Sequence, residues 1–142
     1  MKLCFDRQAI TSIDEALRFY KNSECESPTR STIPLLSLLK HGGEIWKEVF
    51  QHFDLPDSSV EAHIEFTVSP PKGSGTASHT DIMLIDGDRA VAIEAKWTEP
   101  RYDDVGRWVM KGDNCQNRIE VTRGWLSLLG LPETSRGWHM YW

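Results

Sequence analysis

Residues 79–100 read HTDIMLIDGDRAVAIEAKWTEP, and this stretch decides the fold. Two apolar runs flank Asp86-Gly87-Asp88, an acid–glycine turn of the kind that joins antiparallel strands, so a hairpin is expected over about 79–97. Strand side chains alternate, so Glu94 and Lys96 share one face while Val91, Ile93, Ala95 and Trp97 take the other. A turn over residues 86–89 places Asp81 directly across from Glu94, with Cβ atoms about 4.5–5.5 Å apart. Two carboxylates facing each other repel, and a divalent cation between them converts that repulsion into binding energy. Oxygen ligands of this kind suit Mg²⁺ or Mn²⁺. Lys96 then has three candidate tasks: orienting a water, stabilising developing negative charge, or holding a phosphate.

Outward from the hairpin, the neighbouring segments alternate between helix and strand signals. VEAHIEFTV (60–68) has period two, with Val60, Ala62, Ile64, Phe66 and Val68 on one face and Glu61, His63, Glu65 and Thr67 on a solvated one. SPPKGSGTAS (69–78) reads as a flexible loop; Gly73-Ser74-Gly75 lacks the Lys-Ser/Thr of a phosphate-binding loop. Upstream, SIDEALRFYK (12–21) is expected to be helical, capped by Ser12 with Glu15 three residues on. NSECESPTRST (22–32) reads as a loop. Helices are expected from Pro34 to Gly42-Gly43 and over 44–53, the latter with Ile45, Trp46, Val49, Phe50 and Phe53 as its apolar stripe. Downstream, residues 98–107 look irregular, a helix begins near Asp113 with Gln116 closing a capping box, and Gly130 ends it. A last short strand is expected over 136–142.

Composition bounds the functional classes. The 142 residues are 26% charged and 39% hydrophobic, enough for one globular domain: a helical part over 1–55, then sheet and second helix over 60–142. No apolar run approaches the ~18 residues that span a membrane, and no secretory signal is expected. The three cysteines, Cys4, Cys25 and Cys115, show no CxxC or CxH pairing, which suggests reduced thiols in a cytoplasmic protein and no structural zinc. The histidines lack HExxH spacing, which argues against a zinc hydrolase. A net charge of −5 is unusual for a protein that holds nucleic acid by bulk charge, although the acidity lies mainly in the N-terminal half.

The order helix, three strands, helix, strand, with Thr80-Asp81 on the second strand and Glu94-Ala95-Lys96 on the third, resembles the PD-(D/E)xK nuclease superfamily. IEAKWTEPRY is also similar to sequences of a bacterial group of restriction-endonuclease-like proteins. Thr80 departs from the family's proline, which varies widely among its members. The resemblance implies an α/β fold with a restriction-endonuclease-like αβββαβ core, its mixed sheet flanked by helices. It implies Mg²⁺- or Mn²⁺-dependent hydrolysis of DNA phosphodiesters. Asp81 and Glu94 would be metal ligands, with the Ala95 carbonyl and an acid from the first helix; Glu44 is preferred there over Glu48. Lys96 would position the attacking water. Gln116, and with it Arg118, would supply the polar group of the following helix. His79, beside Asp81, is a further candidate for the metal or the scissile phosphate. Arg101, Arg107, Lys111, Arg118 and Arg123 form the expected phosphate-contacting edge. A homodimer or a module of a larger protein is the expected assembly. The alternative is a non-catalytic relative that keeps the fold to bind nucleic acid or to assemble.

Overall fold

The computed structural model describes residues 1–27, 30–96 and 104–133. It is an α/β fold with a five-stranded mixed sheet in the order β2-β1-β3-β4-β5. The strands are β1 Lys2–Phe5, β2 Gln8–Ile10, β3 Glu61–Val68, β4 Ser78–Asp86 and β5 Arg89–Ile93. The helices are α1 Ile13–Ala16, α2 Asn22–Cys25, α3 Thr32–His41, α4 Gly43–His52, α5 Val105–Met110 and α6 Cys115–Leu128. The chain divides into two compact units, residues 1–67 with 79–99 and residues 68–78 with 100–142.

In the first unit the hairpin forms in the expected register. Ile82 pairs with Ile93, Leu84 with Val91 and Asp86 with Arg89, and Gly87 takes φ 62° at the first of the two turn residues. That dihedral is open to glycine without steric penalty and matches a type II′ turn. Ile82 and Leu84 are fully buried, and Val91, Ile93 and Ala95 pack against the same core, so this face points inward as the alternation requires. The core is completed by Ala62 and Ile64 of β3, Leu35, Leu36 and Leu39 of α3, and Trp46 and Phe50 of α4. Ile45 and Phe53, expected in the α4 stripe, are instead exposed.

Several elements depart from the sequence expectation, each for a local reason. β1 and β2 precede the first helix, joined through Asp6 at φ 47°; their runs of four and three residues are too short for periodicity to mark. β1 then pairs in parallel with β3, Cys4 opposite His63. The helix expected over 12–21 closes after α1 into a 3₁₀ turn, Leu17–Phe19, although Ser12 does cap it by accepting from the Glu15 N–H. Part of the expected 22–32 loop winds into α2, where the Glu24 carboxylate accepts the Lys21 N–H. Gly42 separates α3 from α4: a Cβ there would lie 2.5 Å from the Leu38 carbonyl oxygen, which also accepts the Trp46 indole N–H at 3.0 Å. β5 ends at Ile93, short of the expected 97.

The alternation expected for β3 fails at Glu65, which takes φ 54°. A residue turned into the left-handed region inside a strand works as a bulge and resets which face its successors occupy. His63, which precedes the bulge, is buried rather than solvated for a different reason: its Nδ1 lies 2.6 Å from the Asp6 carbonyl oxygen and its ring meets Phe66 edge-on at 5.4 Å.

In the second unit, Asp104 caps α5 by accepting the Arg107 N–H, so the segment read as irregular contains a helix. α6 starts after Asn114 without a side-chain cap, so the capping box expected from Asp113 to Gln116 does not form. Gly130, at φ 65°, does terminate it. The loop before β4 is pinned rather than free: Asn117 accepts the Ser74 N–H at 2.7 Å and donates to the Ser74 carbonyl at 2.5 Å. The strand expected over 136–142 lies outside the described residues, as do Trp97 and Arg101. No described helix is long and apolar enough to cross a membrane.

Candidate metal centre

Asp81 stands on β4 one residue before Ile82, where the β4–β5 ladder ends. Its Oδ2 accepts the Ala95 N–H at 2.6 Å. The side chain thus takes over a backbone donor that the ladder no longer pairs, and holds the start of the Glu94-Ala95-Lys96 segment against the end of β4. Glu94 is about half exposed, at 48%, and its Oε2 lies 3.6 Å from Lys96 Nζ. Burial raises the Glu94 carboxyl above the ordinary carboxylate range, the negative charge of Asp81 adds to the shift, and Lys96 opposes it.

A third carboxylate joins from β3. Glu65 Oε1 accepts the Tyr20 hydroxyl at 3.2 Å, and its Oε2 lies 3.7 Å from His79 Nδ1. Burial raises the Glu65 carboxyl; the Tyr20 hydrogen bond and His79 lower it, while Asp81 and Glu24 raise it. Tyr20 is itself raised, first by burial and then by Glu65, so its hydroxyl stays protonated and donates. Glu24 contributes charge from α2, with its own carboxyl held low by the Lys21 N–H and by Arg30, 3.0 Å away. Asp81 thus adds negative charge to both Glu94 and Glu65, with Lys96 beside the first and His79 beside the second.

Not every residue singled out in the sequence takes part. The carboxylate oxygens of Asp81, Glu94 and Glu65 do not all lie within 4.8 Å of one another, but Asp81 joins the segment through the Ala95 N–H, and Glu94 joins Lys96. Glu44 does not: its side chain is 85% exposed and bonded to Lys47 at 2.7 Å. Glu48 is likewise exposed. The acid whose charge acts beside Asp81 comes instead from β3, as Glu65. His79 is exposed and faces Glu65. In the second unit, Gln116 is exposed and lies 3.5 Å from Glu120.

Glu65 was illegible in the sequence because simple alternation put it on a solvated face. No glycine or asparagine marks the bulge that turns it. Tyr20 was equally hidden, inside a stretch expected to be helical whose helix in fact ends before it.

Among the residues expected to contact phosphate, Arg118 donates to the Trp108 carbonyl at 2.8 Å and lies 5.3 Å from the centre of its ring. Both line a cavity of about 490 Å³ in the second unit, together with Asn114, Asn117, Trp125 and Thr76. Arg107 is exposed and lies 3.5 Å from Asp104. Arg123 is paired with Glu120 and Glu133, and Lys111 is exposed.

No curated protein and no solved structure matches this chain. A family model described as a domain of unknown function (DUF6946) matches residues 9–141, nearly the whole chain, and the protein belongs to that family.

Proposed function

We propose that the protein is a metal-dependent DNA nuclease with a restriction-endonuclease-like core. The observation that carries this reading is that Asp81, on β4, accepts the Ala95 N–H at 2.6 Å between Glu94 and Lys96, and that its charge acts on both Glu94 and the Glu65 carboxyl of β3. Lys96 and His79 offset the raised Glu94 and Glu65 carboxyls only in part, and a hard divalent cation supplies further positive charge. Asp81, Glu94 and Glu65 would hold Mg²⁺ or Mn²⁺, and the Ala95 carbonyl is a further ligand of the right hardness. The ion would supply Lewis acidity toward the phosphoryl group. Lys96 would orient the attacking water beside Glu94. Tyr20 fixes the Glu65 carboxylate through its hydroxyl, and Asp81 holds Ala95, so both would keep the ligand set in place. Arg107, Lys111 and Arg118 would contact phosphates, with the Trp108 and Trp125 rings offering a surface for a base. Gln116 would serve as the polar group of the following helix, and Arg101 would extend the phosphate edge.

A second reading has its own support. Asp81 already serves a structural purpose, clamping the chain after β5. In a non-catalytic nucleic-acid-binding or assembly module that clamp would be its whole task. Mn²⁺ titration with thermal unfolding separates the two readings. The nuclease reading requires that Mn²⁺ stabilise the wild type and not Glu94→Ala, and that Lys96→Ala abolish nicking of supercoiled DNA while still binding Mn²⁺. A chain that no divalent cation stabilises at millimolar concentration is not this nuclease.

A further inference from the structure

A second group of potential ligands lies on the strands β1 and β3, apart from the carboxylates around Asp81. The parallel register sets Lys2 beside Glu61 and Cys4 beside His63, and a two-residue step along each strand keeps all four on one face of the sheet. Ligand atoms of Cys4, Glu61 and His63 lie within 4.8 Å of one another. Cys4 is 2% and His63 6% exposed, whereas Glu61 is partly open to solvent.

The histidine provides the independent observation. Its Nδ1 lies 2.6 Å from the Asp6 carbonyl oxygen, which can only accept, so Nδ1 carries the proton. Nε2, on the other side of the ring, is buried in the cluster without a well-formed hydrogen bond, its acidic neighbour being Glu61 Oε2 at 3.3 Å. An unpaired buried acceptor is costly, and a metal ion satisfies it. A backbone carbonyl on the far ring nitrogen is the usual outer support of a metal-bound histidine. Glu61 is prepared in the same way: Oε1 accepts from Lys2 at 2.6 Å, while Oε2 lies 3.3 Å from His63 Nε2.

We propose that Cys4, Glu61 and His63 form a Zn²⁺ site that clasps β1 to β3, with water as the fourth ligand on the open Glu61 side. A mixed sulfur, nitrogen and oxygen set favours this borderline ion over Mg²⁺ or Mn²⁺, which prefer oxygen throughout. Ligand atoms around one tetrahedral zinc stand roughly 3.3–3.8 Å apart, given bonds of about 2.0–2.3 Å, so the three groups need close by only about 1 Å. Binding releases the Cys4 thiol proton to solvent and leaves a thiolate on the metal. Short-range spacing does not reveal the site, because its ligands come from two strands far apart in sequence.

Co²⁺ as a spectroscopic stand-in tests this directly, with a readout independent of any nuclease activity. One equivalent of Co²⁺ should produce a thiolate-to-metal charge-transfer band in the near ultraviolet, and one equivalent of Zn²⁺ should remove it. The band should persist in the double variant Cys25→Ser, Cys115→Ser, in which only Cys4 can supply a thiolate. It should vanish in Cys4→Ser, and Glu61→Gln should weaken Zn²⁺ binding by at least the roughly 10–100-fold that loss of an outer-sphere partner costs. Absence of the band in the double variant overturns the site even if Cys4→Ser fails to fold. So does a band that survives in a folded Cys4→Ser protein.

Discussion

Glu65 concentrates most of what is unusual about the candidate metal centre. It occupies a backbone region that L-residues with long side chains seldom adopt, in the middle of a strand, and its carboxyl is half-buried beside other acids. Outliers of this kind are retained when the surrounding structure over-determines them, and they cluster at functional sites. The pH consequence has a definite sign. Because the folded-state carboxyl titrates above its ordinary range, the native chain binds more protons than the unfolded chain in the interval between the two values, and stability falls as pH rises through it. Glu65→Gln removes that titration and keeps an acceptor for the Tyr20 hydroxyl. Its melting temperature relative to wild type should therefore increase as pH is raised from about 4 into the neutral range. A difference that stays flat, or that shrinks with pH, would show that the raised carboxyl is not coupled to folding. Saturating Mn²⁺ should abolish the advantage by neutralising the wild-type carboxylate.

At the scale of elements, the α3–α4 junction shows how closely one residue can be specified. Gly42 and Gly43 are adjacent and read alike in the sequence, but their surroundings differ. A methyl group at Gly42 would strike the Leu38 carbonyl and side chain, whereas nothing lies within 4 Å of the corresponding position at Gly43. Gly42→Ala should cost about 1–3 kcal/mol in chemical denaturation, the usual penalty for forcing atoms into packed space. Gly43→Ala should be neutral or stabilising by up to about 1 kcal/mol, through loss of unfolded-state freedom. Equal effects at the two positions would refute the packing argument. The β4–β5 hairpin lies at the other extreme of legibility. Its turn chemistry and strict alternation determine both register and inward face, and the pairing of Ile82 with Ile93 is the one that places Asp81 at the ladder's end.

For the whole molecule, the charge balance constrains how DNA could be held. A net charge of −5 opposes non-specific attraction, so affinity would depend on a few local phosphate contacts. If Arg107, Lys111 and Arg118 are those contacts, the logarithm of the association constant should fall against the logarithm of salt concentration with a slope near −3, since each neutralised phosphate of duplex DNA contributes about −0.9. Filter binding with a catalytically silent Lys96→Ala variant in Ca²⁺ would measure it. A slope near zero would remove this set as a phosphate-binding edge. Ion binding gives a second whole-molecule signature: at about a hundred times its dissociation constant, Mn²⁺ should stabilise the fold by roughly 2.7 kcal/mol, and Asp81→Asn or Glu94→Gln should eliminate most of that gain.

Local sequence determined what depends on near neighbours: the Asp86-Gly87-Asp88 turn, the alternation that turns Val91 and Ile93 inward, the Ser12 cap, and the end of α6 at Gly130. These follow from dihedral preference and side-chain period, which act over a few residues. Tertiary structure decided the rest. It paired β1 with β3 across some sixty residues of chain, and so brought Cys4 to His63. It turned Glu65 toward Tyr20 through a bulge that no residue type announces, and it left Glu44 in solvent although its helix carries a good apolar stripe. The physical reason is the same in each case: burial and long-range strand pairing select among locally acceptable conformations, and the selecting contacts are distant along the chain.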